Sequence, residues 1–460
     1  MQRPLCTGSR AGLLQSILSP SSQIVVSRGD SRVNRVVLAA AAGLAACLFF
    51  SSCGSSKSTS GPPSGLHQRV LASQTVSSGF VSPGLIIVNA AKDVLPRASE
   101  IGAVATPSFI VPAPNLATFL VYGSTATSYS VQVVNTLTES STGSITLPGP
   151  TSSIVFPLAA GPAFAAVPSA LVTGAPPGAI EVLNTSGGGI NANIGVPGVQ
   201  TVVANANGSI LLAFNPDTFD PNTNTNVVTV VIPANINTGN PVTTTIPGFD
   251  KPVTAVINGS TAYVLNCGAE CGGTQASIQA FDMGSMTLVG PPVNVDGATV
   301  GRLIGSTLYV AGNSPTNNAC TGETTAATTC GRLDLVDTTA MAVTSSAVIT
   351  DGTHTLLDLS LGGQLFIGAK TCTDIGSVTN PNGTEVRGCL SIYNTNTGAV
   401  VIPPDNGDVT GLQSFTSRSV EYVAQGGHLR IYDTTKDVLQ SLQLNLGGGV
   451  IYDAKAADFF

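Results

Sequence analysis

The chain has 460 residues, of which 9% are charged and 43% are hydrophobic, and it contains 51 glycines and 29 prolines. This composition excludes disorder driven by charge repulsion, and the length is sufficient to bury a core. No lysine or arginine occurs between Arg97 and Lys251. Because nucleic-acid interfaces neutralise phosphates with basic side chains, a nucleic-acid partner is also excluded.

Residues 1–52 have the organisation of an export signal. Arg32 and Arg35 precede an apolar run from Val36 to Phe50, and a polar stretch begins at Ser51. Basic residues, an apolar segment and small residues in this order are typical of a secretory signal peptide. The run is shorter than the roughly 18 residues typical of a transmembrane helix, so a membrane-spanning anchor is the weaker alternative.

Two cysteines lie near the end of the apolar run, and each follows small residues. The segment ending at Cys53 (FSSC) and the segment ending at Cys47 (LAAC) resemble the lipobox of bacterial lipoproteins. The resemblance implies a diacylglyceryl group on the cysteine sulfur, which would be the only contact with the bilayer. We favour Cys53 because a flexible tether, residues 53–75, begins there, whereas cleavage at Cys47 would leave Leu48 exposed. The expected location is the cell envelope, on the periplasmic or outer face of a bacterial membrane.

From residue 76 onward the sequence repeats a pair of short strands. The first strand of the pair is aliphatic or aromatic, and its copies are GSILLAFN (208–215), GSTAYVLN (259–266), GSTLYVAG (305–312), GGQLFIGA (362–369) and SVEYVAQG (419–426). The second strand alternates and ends in Asp or Asn, with copies at 85–89, 131–135, 180–184, 278–282, 333–337, 390–394 and 429–433. One spacing is double the others, and VVTVVIP (227–233) fills it as an eighth copy. Period-two alternation predicts half-buried strands, and the terminal Asp or Asn predicts a tight turn.

A long period of this kind, without helical patterning, indicates an all-β fold and in particular a β-propeller. The copy count favours eight blades, with seven as the runner-up, and the propeller domain is expected over residues 76–460. A β-sandwich or a solenoid is the structural alternative. The first repeat has only Phe80 and Val81 as a weak partner before it, and VIYDAKAADFF at the C-terminus has nothing after it. We therefore expect the two ends of the domain to complete one blade together.

Several of these segments carry a family signature. YVLN (263–266), VDTT (336–339), YNTNTG (393–398) and YDTT (432–435) resemble the YVTN-type β-propeller repeat of bacterial and archaeal surface proteins. The resemblance covers about Leu85 to the C-terminus and is clearest from Gly208 onward. It implies a propeller exposed outside the cytoplasm.

Six cysteines follow the tether, and they are expected to form three local disulfides. The pairs are Cys267 with Cys271, Cys320 with Cys330, and Cys372 with Cys389, and each brackets the loop between the paired strands of one repeat. An exported chain enters an oxidising compartment, which supports this pairing. A zinc site is the alternative, but C-x3-C is not a usual zinc spacing. The three loops are expected on one rim of the propeller.

Few residues suggest a catalytic or metal site. His67, His354 and His428 form no paired-histidine motif, and neither a nucleophile elbow nor a phosphate-binding loop occurs. The segment NPDTFDPNTNTN offers alternating oxygen ligands, so calcium is a weak expectation. Its candidate ligands are Asp217, Asp220, Asn222 and Asn224. No other cofactor is expected.

These observations predict a lipid-anchored envelope protein whose propeller acts as a binding or scaffolding module. It is expected to be monomeric and to bind an unknown protein or glycan through polar loops. A catalytic function is the less favoured reading. The alternative is a lactonase- or lyase-like enzyme with acidic or histidine residues meeting at the central channel, since propellers support both kinds of function.

Overall fold

The computed structural model describes residues 62–75, 83–96, 100–103, 105–233, 241–314, 330–372, 389–405, 407–440, 444 and 449–458. Gly61–Phe460 form one compact unit. The predicted signal peptide, Cys47 and Cys53 lie outside the described residues. Within the described ranges no helix is long and apolar enough to cross a membrane.

The described residues form eight antiparallel sheets of four strands each, which are the blades of an all-β propeller. The strands of blades 1 to 4 are β32 (Val450–Ala456), β1 (Arg69–Thr75), β2 (Gly84–Asn89), β3 (Glu100–Gly102); β4 (Thr106–Pro112), β5 (Thr118–Ser124), β6 (Tyr129–Asn135), β7 (Ser140–Leu147); β8 (Ser153–Val155), β9 (Ala163–Val167), β10 (Ala179–Leu183), β11 (Ile190–Gly195); β12 (Thr201–Ala204), β13 (Leu211–Asp220), β14 (Thr225–Ile232) and β15 (Val242–Phe249).

The strands of blades 5 to 8 are β16 (Pro252–Asn258), β17 (Thr261–Asn266), β18 (Ser277–Asp282), β19 (Thr287–Asn294); β20 (Val300–Ile304), β21 (Thr307–Ser314), β22 (Cys330–Asp337), β23 (Ala342–Ile349); β24 (Thr353–Leu359), β25 (Gln364–Lys370), β26 (Leu390–Asn394), β27 (Val400–Val401); β28 (Val409–Ser414), β29 (Val420–Gln425), β30 (His428–Asp433) and β31 (Val438–Leu439). A short 3₁₀ turn covers Gly268–Cys271.

The prediction of eight blades is confirmed, and the repeated strand pair has a defined place in each blade. The first strand of every blade is innermost and lines the central channel. The predicted pair forms the second and third strands, and the eighth copy, VVTVVIP, is β14. We call the side that carries the connections between second and third strands the upper face. The other connections within a blade lie on the lower face.

Blade 1 closes the ring with strands from both ends of the domain, as predicted. β32 pairs antiparallel with β1, with Ala72 opposite Ala454. The guanidinium of Arg69 in β1 donates to both oxygens of Asp458, at 2.9 and 2.6 Å, and to Glu139 Oε1 of blade 2 at 2.9 Å. This buried ion pair holds the C-terminus against two blades.

The start of the propeller differs from the prediction, because β1 lies inside the segment expected to be a tether. β1 pairs with β2 along its length, with Leu71 opposite Ile87, so the true partner of the first repeat precedes Phe80 and Val81. All seven residues of the run RVLASQT are buried, although four of them are polar or charged. The polar residues before it concealed this strand from the repeat pattern.

The second and third strands bury more of their residues than the alternating pattern predicted. Every residue of β1, β10 and β29 is buried, whereas the fourth strands β15 and β19 are largely exposed. Each blade packs face to face against two neighbours, and apolar clusters such as Phe214, Val228, Val264 and Phe281 fill the space between blades. A second or third strand is therefore covered on both faces.

In seven of the eight blades an Asp or Asn ends or directly follows the third strand and forms the predicted tight turn, whereas β14 of blade 4 ends at Ile232. Asn135 Oδ1, for example, accepts the backbone N–H groups of Leu137 and Thr138, at 2.9 and 3.1 Å. Four residues after this position the backbone is left-handed, with φ of 48° at Glu139 and 55° at Asp93. Both of these side chains bind an arginine of blade 1 or blade 8, so the turn also supplies contacts between blades.

Candidate functional site at the central channel

Charged side chains of the innermost strands lie on one side of the central channel. Arg302 is on β20, Asp358 on β24, and Asp453 and Lys455 on β32. The innermost strands β4, β8, β12 and β16 carry no charged residue. We call Arg302, Asp358, Asp453 and Lys455 the channel charges.

The channel charges join neighbouring blades. Arg302 Nη1 donates to Asp358 Oδ1 at 2.7 Å, and Asp358 Oδ2 accepts the N–H of Ser414 at 2.7 Å. These contacts connect blades 6, 7 and 8. The charges of Arg302 and Asp358 therefore balance each other inside the ring. The Arg302 side chain is 39% exposed and the Asp358 side chain 15% exposed.

The same arrangement continues through blade 1. Lys455 Nζ donates to Asp453 Oδ1 at 2.8 Å and to the carbonyl of Leu412 at 3.1 Å. Asp453 Oδ2 accepts the N–H of Ile110 at 2.8 Å, which ties blade 1 to blade 2. Hydrogen bonds to charged groups are stronger than hydrogen bonds between neutral groups. These bonds therefore hold the innermost strands of this part of the ring firmly together.

Glu421 lies behind the channel charges and is the unusual member of the group. It is on β29 and fully buried, and its carboxyl lies within hydrogen-bonding reach of the Asp358 carboxyl. Burial raises the pKa of Glu421 well above its usual range, and the nearby Asp358 carboxylate adds to the rise, whereas Lys455 and Arg302 oppose it. Burial and the neighbouring carboxylate therefore favour the protonated form of the side chain. A buried neutral carboxyl can donate a proton, so this corner of the channel has the chemistry of a general acid.

Sequence analysis did not single out Glu421 or Asp358. The available signal was an acidic residue within a short apolar strand, in VEYVAQ and THTLLDL. Because the strands belong to different blades, the pattern could not show that the two carboxyls meet.

The structure places His354 away from these carboxyls. His354 is the second residue of β24, at the upper end of the channel, four residues before Asp358, which is roughly 13 Å along a strand. Its Nε2 is 2.8 Å from the carbonyl oxygen of Thr350, and its Nδ1 has no partner among the residues that the structure describes. Burial lowers the pKa of His354 to about 4. His428 is exposed on β30, and His67 precedes β1.

The calcium candidates form the tip of a β-hairpin that extends β13 and β14 above the upper face. Asp220 Oδ1 accepts the N–H of Asn222 at 2.9 Å, and Asp217 pairs with Lys251 at 2.9 Å. Asn224 has a left-handed backbone in the same turn. No group of three or more His, Cys, Asp or Glu side chains suited to a metal occurs in the described residues. Calcium binding by Asp217, Asp220, Asn222 and Asn224 stays a prediction.

Two disulfides join nearest-neighbour cysteines on the upper face. Cys267 is bonded to Cys271 in blade 5 and Cys372 to Cys389 in blade 7, each with the Cα atoms 5.7 Å apart. Cys320 lies outside the described residues, so its pairing with Cys330, which begins β22 in blade 6, stays a prediction.

The disulfide loop of blade 5 contacts the next two blades. Glu270, inside this loop, accepts the N–H of Asn313 at 2.8 Å, and Asn313 Nδ2 donates to the carbonyl of Gly352 at 2.6 Å. The loop therefore braces blades 6 and 7 on the upper face.

Comparison with known proteins supports the fold. No protein-family model matches the chain, and no curated protein matches it. Among solved structures, a dihydro-heme d1 dehydrogenase, NirN, matches with a TM-score of 0.55 at 10% identity, covering 83% of this chain and 74% of that one. A putative 6-phosphogluconolactonase from Bacteroides fragilis matches with a TM-score of 0.47 at 12% identity, covering 86% and 99% of the two chains. A periplasmic gluconolactonase from Pseudomonas aeruginosa matches with a TM-score of 0.42 at 13% identity, covering 85% and 98%. At 10% identity the match to NirN shows the propeller fold alone, and the two matches with TM-scores below 0.5 carry no argument.

Proposed function

We propose that this chain is a cell-envelope lipoprotein whose eight-bladed propeller acts as a binding or scaffolding module. The observation that carries the proposal is the bonding of the channel charges. Arg302, Asp358, Asp453 and Lys455 each bind a neighbouring innermost strand, so they stabilise the ring. A catalytic centre needs groups that are free to act on a substrate, and these four are occupied.

The lipid anchor is proposed from the sequence, and labelling tests it. Cells that express the chain are grown with radiolabelled palmitate, and the label is expected to be lost in Cys53→Ala and kept in Cys47→Ala. The opposite result would move the anchor to Cys47. Label retained in both variants would exclude lipidation at either cysteine, and the proposed lipoprotein with it.

An enzyme of the lactonase or lyase type is the second candidate, and Glu421 is the observation that favours it. Its buried carboxyl lies beside Asp358, with Arg302 39% exposed nearby. The test is hydrolysis of a panel of aliphatic and sugar lactones by the full chain and by Glu421→Gln. No turnover is expected from either protein. Turnover that is lost in Glu421→Gln would establish the enzyme and overturn the binding-module proposal.

A further inference from the structure

A groove opens on the lower face between blades 2 and 3. Its volume is about 510 Å³, which is within the 300 to 1,000 Å³ typical of small-molecule sites. No charged side chain lines it. About half of the lining residues carry amide or hydroxyl groups, among them Thr118, Asn135, Thr142, Asn184, Thr185 and Asn191, and the rest are apolar or glycine. We call this cavity the blade 2–3 groove.

The connection between β8 and β9, residues 156–162, forms one wall of the groove. It has seven residues because β8 is only three residues long. Thr185 Oγ1 donates to the carbonyl of Gly161 at 2.9 Å, which holds this wall against the end of β10 in the same blade.

The polar groups of the groove are positioned in advance. Asn184 Oδ1 accepts the N–H groups of Ser186 and Gly187, at 3.1 and 2.8 Å, and Asn135 Oδ1 is occupied in the same way. The carbonyl end of each amide is thereby committed, and its NH₂ group remains available as a donor. Thr118 and Asn191 make no side-chain hydrogen bond within the described residues and add further polar groups. Such an arrangement recognises a ligand rich in oxygen acceptors.

We infer that the blade 2–3 groove binds a neutral saccharide. The absence of charge in the lining removes the ion pair that a phosphate, sulfate or carboxylate ligand would need. Amide and hydroxyl groups match sugar hydroxyls, and the small apolar wall of Ala159, Ala160 and Pro162 can contact the C–H face of a sugar ring. The inference rests on the proposed binding function and names its ligand class.

The chain itself supplies a sharp substitution for the test. Asp stands at the position of Asn135 and Asn184 in blades 5, 6 and 8, as Asp282, Asp337 and Asp433, and it accepts the same backbone N–H groups there. The double variant Asn135→Asp with Asn184→Asp therefore keeps both turns, replaces the amide donors by acceptor oxygens and adds two negative charges to the groove. Asn394→Asp makes the same change in blade 7, outside the groove, and is the matched control.

Binding of cellotetraose, maltotetraose, mannotetraose and tetra-N-acetylchitotetraose to the full chain is measured by calorimetry, with tetragalacturonate as the charged comparison. We expect at least one neutral tetrasaccharide to bind, the double variant to lose about tenfold or more in affinity, and Asn394→Asp to bind as the wild type does. Binding that the double variant retains in full would overturn the assignment to this groove and leave the binding-module proposal standing. The inference also fails if no neutral tetrasaccharide binds at millimolar concentration, or if only the charged one does. Lactone turnover dependent on Glu421 is a separate readout, and it would overturn the binding-module proposal itself.

Discussion

Two buried titratable residues make the stability of this protein depend on pH in opposite directions. Desolvation lowers the pKa of His354, which favours its neutral form, and raises the pKa of Glu421, which favours its protonated form. Both sit in strands that line or adjoin the channel, where water cannot solvate their charged forms. The free energy of unfolding therefore changes wherever the folded and unfolded chains bind different numbers of protons.

His354 is expected to make the protein sensitive to acid. Its pKa is about 4 in the fold and about 6.5 in the unfolded chain, so the unfolded chain binds a proton first as the pH falls. Stability is then lost between roughly pH 6.5 and 4, by about 3 kcal/mol in total. Urea unfolding at pH 7 and pH 4.5 measures this loss, which His354→Gln should remove.

His428→Gln is the matched control for this measurement, because His428 is exposed on β30. It should keep the acid sensitivity of the wild type. An equal loss of stability in His354→Gln and in the wild type would contradict the assignment.

Glu421 is expected to act in the other direction. Because its pKa is raised in the fold, the folded chain holds a proton that the unfolded chain releases above about pH 4.5. Each pH unit above that point lowers the free energy of unfolding by up to about 1.4 kcal/mol, until the folded carboxyl itself ionises. Glu421→Gln should therefore be more stable than the wild type at pH 8 and similar to it at pH 4, as measured by urea unfolding. A stability difference that does not change with pH would show that Glu421 is ionised in the fold.

At the scale of the element, the strand ends and loops decide how firmly the blades are held together. The turns after Asn89 and Asn135 each present a left-handed residue, Asp93 and Glu139, which forms an ion pair with a neighbouring blade. The disulfides act on the opposite face, within long connections between second and third strands. The ion pairs and the disulfides limit the opening of single blades.

Arg69→Met tests the ion pair that holds the ring closed. The substitution leaves the carboxylates of Asp458 and Glu139 without their cation, and breaking a buried pair costs about 3 to 5 kcal/mol. Lys251→Met is the matched control, because its partner Asp217 is 74% exposed and such pairs contribute less than about 1 kcal/mol. Chemical denaturation of the two variants should separate them clearly. Equal losses would mean that the Arg69 pair is not important for closure.

The two described disulfides should differ in the stability they contribute. Cys372 and Cys389 are 17 positions apart and Cys267 and Cys271 only 4. Constraining the unfolded chain over the longer loop contributes about 3 kcal/mol and over the shorter loop about 2 kcal/mol. Double substitution of each pair by alanine, followed by thermal unfolding, measures the two losses. A larger loss for the shorter loop would show that contacts of that loop, such as Glu270 with Asn313, outweigh chain entropy.

At the scale of the whole molecule, one blade joins the two ends of the domain. β32 supplies the innermost strand of blade 1 and β1 to β3 supply the rest, so the ring has no free innermost edge at this point. The channel charges Asp453 and Lys455 belong to the same C-terminal strand. Closure and the bonding around the channel are thus coupled through β32.

Deletion of residues 449–460 is expected to abolish cooperative unfolding. The deletion exposes the edge of β1 and the apolar residues that β32 covers, and it removes the bonds from Lys455 to blade 8 and from Asp453 to blade 2. Near-ultraviolet circular dichroism during urea titration reports the loss, and a peptide of residues 449–460 should restore the transition. Deletion of residues 1–60 is the control and should leave the midpoint unchanged. A cooperative transition without β32 would show that seven blades and a partial eighth suffice.

The sequence by itself determined the parts of this fold that are local. Four features can be predicted from the sequence because each depends on residues that are close together in the chain. These features are the period of the repeat, the pairing of second and third strands, the tight turns at Asp or Asn, and the eight copies. The beginning of the propeller was not legible, because β1 has no repeat signature and follows a polar segment.

Only the tertiary structure decided which distant residues meet. Arg69 pairs with Asp458, and Asp358 lies beside Glu421. The wall at residues 156–162 faces the turn at Asn135. Each of these contacts forms because the ring brings together residues that are far apart in the sequence. The repeat pattern describes the strands within each blade, and it is similar in every blade. The ion pairs, the buried carboxyl of Glu421 and the groove depend instead on which side chains of two neighbouring blades face each other. Those contacts exist only once the ring is closed.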